Sequence, residues 1–217
     1  MKFLIGDIGN TSTKICVLNN NLKILRSYNF ETIKMLKGNL LKTVIKKKIN
    51  KGLNPIFLFS SVVPKVFLNI KKGFKFSKYK VLELKNLNLN KVIKINVKNK
   101  TQLGSDRIAN AIGAKKFKNC LVLDFGTATT FDVIKNGRYE GGVIAPGVKL
   151  SIKNLSQATA LLPLINLSSN QKKIGKNTKE ALNAGFIWGY EGLLNNIIDK
   201  IILKNEKKFK IILTGGY

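Results

Sequence analysis

Residues 121–134 read LVLDFGTATTFDVI, and this stretch gives the clearest prediction of the fold. An apolar run ends at Asp124, turns through Gly126 and small hydroxyl residues, and resumes at Phe131. The pattern predicts a β-hairpin with a tight turn. Because no bulky side chain stands where the turn's N–H groups would face outward, a phosphate can approach them closely. Asp124, at the strand end, can hold a cation or a cation-bound water beside that phosphate.

The same arrangement occurs near the start of the chain. When residues 4–18, LIGDIGNTSTKICVL, are aligned on the first stretch through Asp7, Gly9 falls on the other turn glycine and Thr13 falls on Thr130. One Asp-x-Gly is weak evidence, since both residues are ordinary in turns, and a plain hairpin turn stays an alternative for either copy alone. Two copies with matching apolar flanks indicate two related halves. This pattern resembles the acetate and sugar kinase, Hsc70 and actin superfamily, whose ATP lies between two such domains.

The length allows one large domain or two small ones, since the chain has 217 residues. The paired hairpins favour two subdomains, residues 1–117 and 118–217, in an α/β fold. The sequence contains no long uncharged apolar run, and Met1 leads directly into the first predicted strand. We therefore expect a soluble, cytoplasmic protein without a membrane segment.

The formal net charge of +28 raises the question of nucleic-acid binding. Arginine, which suits bidentate recognition of bases and phosphates, occurs only as Arg26, Arg107 and Arg138 among 39 basic residues. The lysines are scattered, with no aromatic interleaving and no helix that carries a basic face. A solvated lysine-rich surface is the preferred interpretation, and a nucleic-acid binder is the alternative. In either case the field attracts anions such as ATP.

The chain contains no histidine, which excludes imidazole metal ligands, Ser–His triads and histidine acid–base catalysis. Cys16 and Cys120 lie inside apolar strand patterns, which predicts buried thiols and not a disulfide or a metal pair. Any chemistry must therefore use carboxylates, lysines, backbone amides and bound ions.

The remaining elements are predicted from apolar periodicity and from the positions of Gly and Pro. Helices are expected over 32–51, after Pro64, after Gly104, from Val148 with an apolar face of Leu150, Leu155 and Leu161, and over 179–203. Further strands are expected at 2–8, 14–18, 22–30, 56–59, 80–84, 92–95, 138–145 and 210–213. Small residues in the last helix permit close packing within the subunit or across a dimer.

Residues 104–107, GSDR, open one of these helices, and Ser105 or Asp106 can serve as its N-cap or first-turn acid. One alternative is that Asp106 only caps the helix and Arg107 only pairs with it. Against this, Gly104 lets the backbone approach a ligand, and Arg107 is one of only three arginines. Asp106 and Arg107 together could supply a base and an anion-holding fork.

Six motifs in the same order resemble the type III pantothenate kinases: DIGNTSTK at 7–14, SSVVP at 60–64, GSDRIANAIGA at 104–114, DFGTATTFDVI at 124–134, GGVIAPG at 141–147 and GKNT at 175–178. The resemblance covers residues 1 to 217, and its specific part is GxDR together with SSVVP and GGxIxPG. It implies two ribonuclease-H-like (actin-like ATPase) subdomains with mixed sheets flanked by helices. It also implies ATP-dependent phosphorylation of pantothenate to 4′-phosphopantothenate, the first step of coenzyme A biosynthesis, by a homodimer that uses Mg²⁺ and a monovalent cation, K⁺ or NH₄⁺.

The resemblance further implies a role for each matching residue. The ATP site would comprise Asp7, Ile8, Gly9, Asn10, Thr11, Ser12, Thr13, Lys14 and Thr127, with Asp7 near Mg²⁺. The pantothenate site would comprise Val97, Gly104, Ser105, Asp106, Arg107 and Thr178. Asp106 would accept the proton of the substrate hydroxyl, and Thr178 would act across the dimer interface. Asp124 would hold the monovalent cation.

The sequence departs from the family pattern at two places. The family usually has an aromatic residue against the substrate where this chain has Val97, and the loop lacks the usual proline. The family also continues past its TGG turn, here residues 214–216, into another helix, so the resemblance implies a shortened C-terminus. These departures motivate an alternative, a degenerate homologue that binds ligand or regulates without turnover. Asp7, Asp106, Arg107 and Asp124 are all intact, which favours an active kinase.

Overall fold

The computed structural model describes residues 1–36, 40–48, 52–168, 173–202 and 209–216. The chain forms two compact units: unit 1 comprises residues 1–94 and 98–113, and unit 2 comprises residues 95–97 and 114–217. Across the described ranges, no helix has both the length and the apolar character needed to cross a bilayer.

Unit 1 is built on a five-stranded mixed sheet. Its elements are β1 (Lys2–Ile8), β2 (Ser12–Leu18), β3 (Ile24–Glu31), α1 (Thr32–Met35), α2 (Leu40–Lys48), β4 (Leu53–Ser61), α3 (Pro64–Gly73), β5 (Lys80–Glu83) and, up to the unit boundary, α4 (Ser105–Ala114). The strand order is β3-β2-β1-β4-β5. β1 pairs antiparallel with β2 and parallel with β4, so the carboxyl ends of β1 and β4 lie side by side.

The core of unit 1 fixes these strand ends. Alternate residues of β1 and β4, among them Leu4, Ile8 and Phe59, are almost completely buried against side chains of α1, α2 and α3. Phe57 stacks on Tyr79 with ring centroids 4.4 Å apart and meets Phe74 edge-on at 5.5 Å. Burial of each such side chain stabilises the fold by about 1.5–3 kcal/mol. The turn that follows β1 is therefore carried on a rigid support.

Unit 2 repeats this plan. Its elements are the two-residue β6 (Lys94–Ile95), β7 (Cys120–Phe125), β8 (Ala128–Lys135), β9 (Arg138–Pro146), α5 (Val148–Gln157), α6 (Thr178–Ile201) and β10 (Lys210–Gly215). The strand order is β10-β7-β8-β9-β6, and β7 pairs antiparallel with β8 and parallel with β10. One face of β7 and β8 packs against apolar residues of α6, including Leu193, Leu194 and Ile197. The expected α/β fold with two mixed sheets flanked by helices is confirmed.

The two hairpins differ in length by one residue. In unit 1 the Gly9 N–H donates to the Ser12 carbonyl at 3.0 Å, whereas in unit 2 the Gly126 N–H donates to the Ala128 carbonyl at 3.0 Å. Two residues therefore occupy the first tip, and one residue, Thr127, occupies the second.

This difference corrects the alignment of the two halves. Asp7 pairs with Lys14 across the first hairpin, and Asp124 pairs with Thr130 across the second. The predicted match of Thr13 with Thr130 is therefore wrong by one residue. The buried counterpart of Thr13 is Thr129, which is likewise almost fully buried.

Several predicted element boundaries also change. The helix predicted over 32–51 is two helices, α1 and α2, while residues 37–39 and 49–51 lie outside the described residues. The strand predicted over 92–95 is reduced to two residues, and β4 and β10 are longer than predicted. The ends predicted for the last helix and for the chain, Leu203 and Tyr217, also lie outside the described residues.

The predicted apolar face of α5 extends too far, because the helix ends at Gln157 and does not include Leu161. Leu150 and Leu155 are 37% and 36% exposed, and Leu161 is 90% exposed beyond the end of the helix. Ile152 is the buried residue of this helix instead. By contrast, the prediction for the thiols is confirmed, because Cys16 and Cys120 are both free and buried.

Candidate active site

The turn after β1 is stabilised by hydrogen bonds from Thr32, the first residue of α1. The Thr32 hydroxyl donates to the Gly9 carbonyl at 2.7 Å and lies 3.0 Å from the hydroxyl of buried Thr13. The Thr32 N–H donates to the Thr11 carbonyl at 2.9 Å. Asn10, Thr11 and Ser12 remain exposed, so the outer side of the turn is available to a ligand. Sequence reasoning missed Thr32, although a hydroxyl residue at a strand–helix junction is a usable signal.

Asp7 is exposed at the carboxyl end of β1 and has polar neighbours on both sides. Its paired residue on β2 is Lys14, and its paired residue on β4 is Ser60. The Ser60 hydroxyl oxygen is buried and makes no hydrogen bond within the described part of the chain. Ser60, Asp7 and Lys14 thus stand side by side on three neighbouring strands. Together they offer a hydroxyl, a carboxylate and an ammonium group beside the turn.

The other two motifs of unit 1, residues 60–64 and 104–107, lie next to this turn. The Val62 N–H donates to the Ile8 carbonyl at 3.0 Å, which attaches residues 60–64 to the end of β1. A Cβ placed on Gly104 would lie 3.7 Å from Cγ1 of Val62. Motifs 7–14, 60–64 and 104–107 are therefore brought together within one unit.

Gly104 and Asp106 fit each other closely. α4 begins at Ser105, which is fully buried, and Asp106 is the acid of its first turn, as predicted. Asp106 Oδ1 accepts a hydrogen bond from the Arg107 N–H at 2.8 Å. A Cβ on Gly104 would overlap this Oδ1 and lie 3.5 Å from the carboxyl carbon. A glycine at 104 is thus what allows the Asp106 carboxylate to rest over the backbone.

A second carboxylate, Glu83, lies near the start of α4, and sequence reasoning did not single it out. Burial raises the pKa of the Glu83 carboxyl above its ordinary value, while the Lys85 ammonium acts in the opposite direction. Glu83 therefore belongs to the electrostatic environment of the segment that carries Asp106.

In unit 2, three segments meet at the turn between β7 and β8. The Gly147 N–H donates to the Thr127 carbonyl at 3.2 Å, and a Cβ on Gly147 would overlap the carbonyl oxygens of Gly126 and Thr127. On the other side, the Gly216 N–H donates to the Phe125 carbonyl at 3.1 Å. The predicted PG and TGG turns therefore pack directly against the hairpin tip.

Asp124 is partly buried in a row of oxygen-bearing side chains. Its paired residue on β8 is Thr130, and its paired residue on β10 is Thr214. Thr130 Oγ1 is buried and has no hydrogen-bond partner among the residues described. Behind this row, the hydroxyls of Thr129 and Tyr190 are hydrogen-bonded, which ties α6 to β8. The side-chain oxygens of Asp124, Thr130 and Thr214 are the type of ligand that a hard cation prefers.

Val97 and Thr178 lie elsewhere in unit 2. A Cβ on Gly141 would lie 3.9 Å from Cγ1 of Val97, and the preceding residue, Asn96, donates its N–H to the Tyr139 carbonyl at 2.8 Å. Thr178 is the exposed first residue of α6. It lines an apolar groove of about 440 Å³ together with residues of α5 and α6, and no residue of the hairpin tip is among its described lining.

Solved structures place this architecture among the actin-like ATPases and sugar kinases. A conserved candidate Baf-family transcriptional activator from Campylobacter jejuni superposes with a TM-score of 0.60 at 20% identity, covering 99% of this chain and 83% of its own. Lmo2764 from Listeria monocytogenes, described as a candidate N-acetylmannosamine kinase, gives a TM-score of 0.55 at 16% identity, covering 100% and 84%. At these identities the likeness shows the fold alone. The chain therefore has the fold of the actin-like ATPases and sugar kinases.

Sequence comparison identifies the family. The family model for type III pantothenate kinase matches residues 3–200. The type III pantothenate kinase of Pelagibacter ubique is 50% identical over 217 residues, covering 99% of this chain and 87% of that protein. The Sulfurihydrogenibium enzyme of the same name is 36% identical over 233 residues, covering 99% and 88%. The chain belongs to the type III pantothenate kinase family.

Proposed function

We infer that this protein transfers the γ-phosphoryl group of ATP to the hydroxyl of pantothenate, forming 4′-phosphopantothenate at the entry to coenzyme A synthesis. Family membership supports this reaction. The structural observation that carries it is the placement of motifs 7–14, 60–64 and 104–107 side by side in unit 1, which sets an exposed phosphate-type turn beside a helix-start carboxylate.

In this proposal residues 7–14 hold the ATP phosphates. The exposed tip supplies N–H groups, and Lys14 supplies positive charge. The Thr32 hydroxyl stabilises the turn through its hydrogen bond to the Gly9 carbonyl. Phosphoryl transfer requires positioning and charge neutralisation more than covalent catalysis, so a chain without histidine lacks nothing essential. In unit 2, Thr127 contacts ATP.

Gly104, Ser105, Asp106, Arg107 and Val97 bind pantothenate, and Asp106 accepts the proton of the attacking hydroxyl. The Asp106 carboxylate suits this role because it lies in the first turn of α4, directly over the Gly104 backbone. A carboxylate within hydrogen-bond reach of the hydroxyl typically contributes about 10²–10⁴-fold to such a step. The Arg107 guanidinium provides a fork for the substrate anion.

Kinases of this family use ATP with a divalent metal. The described residues contain no cluster of three or more His, Cys, Asp or Glu side chains that could enclose a metal. Mg²⁺ does not need one, because it is usually bound by one or two carboxylates, waters and substrate phosphates. Exposed Asp7, beside the buried Ser60 hydroxyl, fits this mode. When bound, Mg²⁺ neutralises the charge of the transferring phosphoryl group.

Asp124 is proposed to hold a monovalent cation, K⁺ or NH₄⁺. The support is local: a partly buried carboxylate has threonines on both neighbouring strands, and Thr130 presents a buried oxygen with no hydrogen-bond partner in the described ranges. A cation at this place would satisfy that oxygen.

A homodimer is proposed from the surface of α5 and α6. Leu155 and Trp188 are 36% and 44% exposed, and Thr178 lies in the apolar groove between these helices. Apolar surface of this kind is typical of subunit interfaces. Covering the groove with a second copy places Thr178 at the interface, where it can reach the substrate of the other subunit. The cytoplasmic location stays a prediction.

The test is ADP release by the purified protein with Mg-ATP, with and without pantothenate, in K⁺ and then in Na⁺. The expected result is turnover that depends on pantothenate and is stimulated by K⁺. A folded protein that binds ATP or pantothenate but releases no ADP in either salt contradicts the assigned reaction and favours a degenerate binding protein.

A further inference from the structure

Strand β9 carries one extra residue, Glu140, where it pairs with β8. Val133 is paired with Gly141 and Ile134 with Tyr139, so the register passes over Glu140. Gly141 has a φ of +109°, a backbone conformation that residues with a side chain rarely adopt. These two features are those of a β-bulge, and a bulge redirects the side chain of its extra residue.

The Glu140 carboxylate reaches residues 95–97, which lie on the opposite side of β9 from β8. The Asn96 side-chain amide donates to Glu140 Oε2. The other carboxylate oxygen, Oε1, lies 3.3 Å from Arg138 Nε, an ion pair without hydrogen-bond geometry. The Glu140 side chain is only 22% exposed, so its charge-assisted hydrogen bond with Asn96 is partly shielded from water.

A backbone hydrogen bond joins the same two segments one residue away. The Asn96 N–H donates to the Tyr139 carbonyl at 2.8 Å. Tyr139 is buried, and its hydroxyl donates to the buried Asp132 carboxylate at 2.9 Å. The backbone of Asn96 is therefore attached to a fixed residue of β9, and its side chain is attached to the bulge residue that follows.

Val97 is the residue whose position depends on these two attachments. It directly follows Asn96, and its Cγ1 would lie 3.9 Å from a Cβ on Gly141, an ordinary van der Waals distance. Residues 95–97 belong to unit 2, whereas the residues on both sides of them belong to unit 1. Because the chain joins this sheet for so few residues, backbone pairing alone is short, and the contact with Glu140 contributes substantially to the placement of Val97.

We propose that Glu140 is a positioning residue for pantothenate: the bulge directs its carboxylate to Asn96, and this contact holds residues 95–97 so that Val97 forms a stable side of the pantothenate site. The proposal rests on the kinase function given above and on the role of Val97 there. Glu140 acts through residues 95–97 and not on the reacting atoms. The proposed base and the phosphate turn belong to unit 1, so losing the contact should affect pantothenate binding and spare ATP binding.

A purely structural role predicts a different result. If the contact only stabilised β9, its loss would lower the melting temperature and leave the KM for pantothenate unchanged. Glutamine at position 140 keeps an oxygen that can accept from the Asn96 amide, whereas alanine removes the acceptor. Glu140→Gln therefore tests rescue of the contact by a neutral acceptor.

The experiment compares Glu140→Ala, Asn96→Ala and the double variant with the wild-type enzyme. Steady-state kinetics gives the KM for pantothenate and for ATP, and amide hydrogen exchange at residue 96 reports on the attachment of the segment, even in a protein without turnover. Asn96 is exposed, so Asn96→Ala gives the same test if Glu140→Ala does not fold. Asp199→Ala, which removes an exposed acid from α6, is the control for lost negative charge.

We expect the KM for pantothenate to rise about fivefold in each single variant, and little further in the double variant, because both remove one hydrogen bond. The kcat and the KM for ATP should stay within about twofold of wild type. Amide exchange at residue 96 should be faster in Glu140→Ala, Glu140→Gln should recover most of the pantothenate affinity, and Asp199→Ala should match wild type.

The possible contrary results are distinct. Wild-type exchange at residue 96 in Glu140→Ala overturns the attachment itself. Faster exchange with an unchanged KM for pantothenate overturns the positioning role, as does an equal rise in the Asp199→Ala control. Absence of pantothenate-dependent turnover in the wild-type protein overturns the assigned reaction, and the positioning role with it.

Discussion

Thr130 lies directly opposite Asp124 in the antiparallel pairing of β7 and β8, and its buried hydroxyl has no hydrogen-bond partner in the described residues. In unit 1 the position opposite Asp7 belongs to Lys14. An ammonium group at this position supplies positive charge for a phosphate, whereas a hydroxyl supplies an oxygen ligand for a cation. The two related hairpins therefore differ in chemistry at the residue that faces the acid.

Thr130→Val tests the cation site. Valine keeps the shape of threonine but removes Oγ1, so we expect most of the K⁺ stimulation to disappear while the rate in Na⁺ changes little. Stability should hold or rise, because an unsatisfied buried polar group costs about 1–3 kcal/mol. ADP release across a K⁺ titration measures the effect. Thr159→Val, which removes a hydroxyl that donates to the Leu155 carbonyl at 2.8 Å, is the control. Undiminished K⁺ stimulation in Thr130→Val contradicts a role for this oxygen.

Asp106→Asn tests the proposed base. Asparagine retains an oxygen that can accept from the Arg107 N–H, so α4 should begin as in the wild type. We expect kcat to fall by about 10²–10⁴-fold, because the amide cannot take the proton. Pantothenate-dependent ADP release gives the rate, and circular dichroism and ATP binding report on the fold. Full turnover by this variant would falsify the proton-acceptor role.

Gly104→Ala tests the close fit between the backbone and Asp106. The added Cβ would overlap the Asp106 carboxylate, so the side chain must move away from its position over the backbone. We expect a fall of about 10–100-fold in kcat with little effect on ATP binding. Gly113→Ala in the same helix is the matched control, because its Cβ has no described atom within 4 Å. The control should be slightly stabilised, by about 0.5–1 kcal/mol, and fully active.

The stability difference between wild type and Glu83→Gln should depend on pH. The Glu83 pKa is raised in the folded protein, so the folded state favours the protonated carboxyl. This contribution to stability is present below the ordinary pKa of 4.5 and is lost as the pH rises through the folded value. We therefore expect the variant to be at least as stable as wild type at neutral pH, with its advantage shrinking toward pH 4.5. Thermal unfolding over this range measures it, and an advantage that grows on acidification contradicts the assignment.

Ala181→Glu tests the proposed dimer. Ala181 is exposed and lines the apolar groove beside Thr178, so a charge there should oppose burial by a second copy. Sedimentation should show a monomer for this variant and a dimer for Asn196→Glu, which places the same charge at another exposed position on α6. A dimer in both variants excludes the groove as the interface.

The parts of the fold that the sequence predicted well are those set by short-range patterns. Both hairpins, the helix start at Ser105 and the buried cysteines follow from local apolar runs and turn residues. The match of Thr13 with Thr130 failed because an ungapped alignment cannot see that the second tip is one residue shorter. Leu161 was expected on the same helical face as Leu150 and Leu155, but α5 ends at Gln157, and periodicity alone does not fix where a helix ends.

The supporting residues of the site were not predicted because their partners are distant in sequence. Thr32 acts on the carbonyl of Gly9, and Glu140 accepts from the side chain of Asn96. No composition or spacing rule links a glutamate to an asparagine 44 positions earlier in the chain. Motif residues can be recognised from sequence alone, but the residues that hold them in place require the three-dimensional contacts.

The one-residue difference between the hairpin tips also bears on the history of the chain. If the halves descend from one ancestral unit, an insertion or deletion at the tip left the strand pairing beside each acid unchanged, because a turn can absorb a residue that a strand cannot. The different neighbours of the two aspartates, Lys14 and Thr130, then arose by substitution at equivalent paired positions. The two copies could then specialise, one toward an anion and one toward a cation.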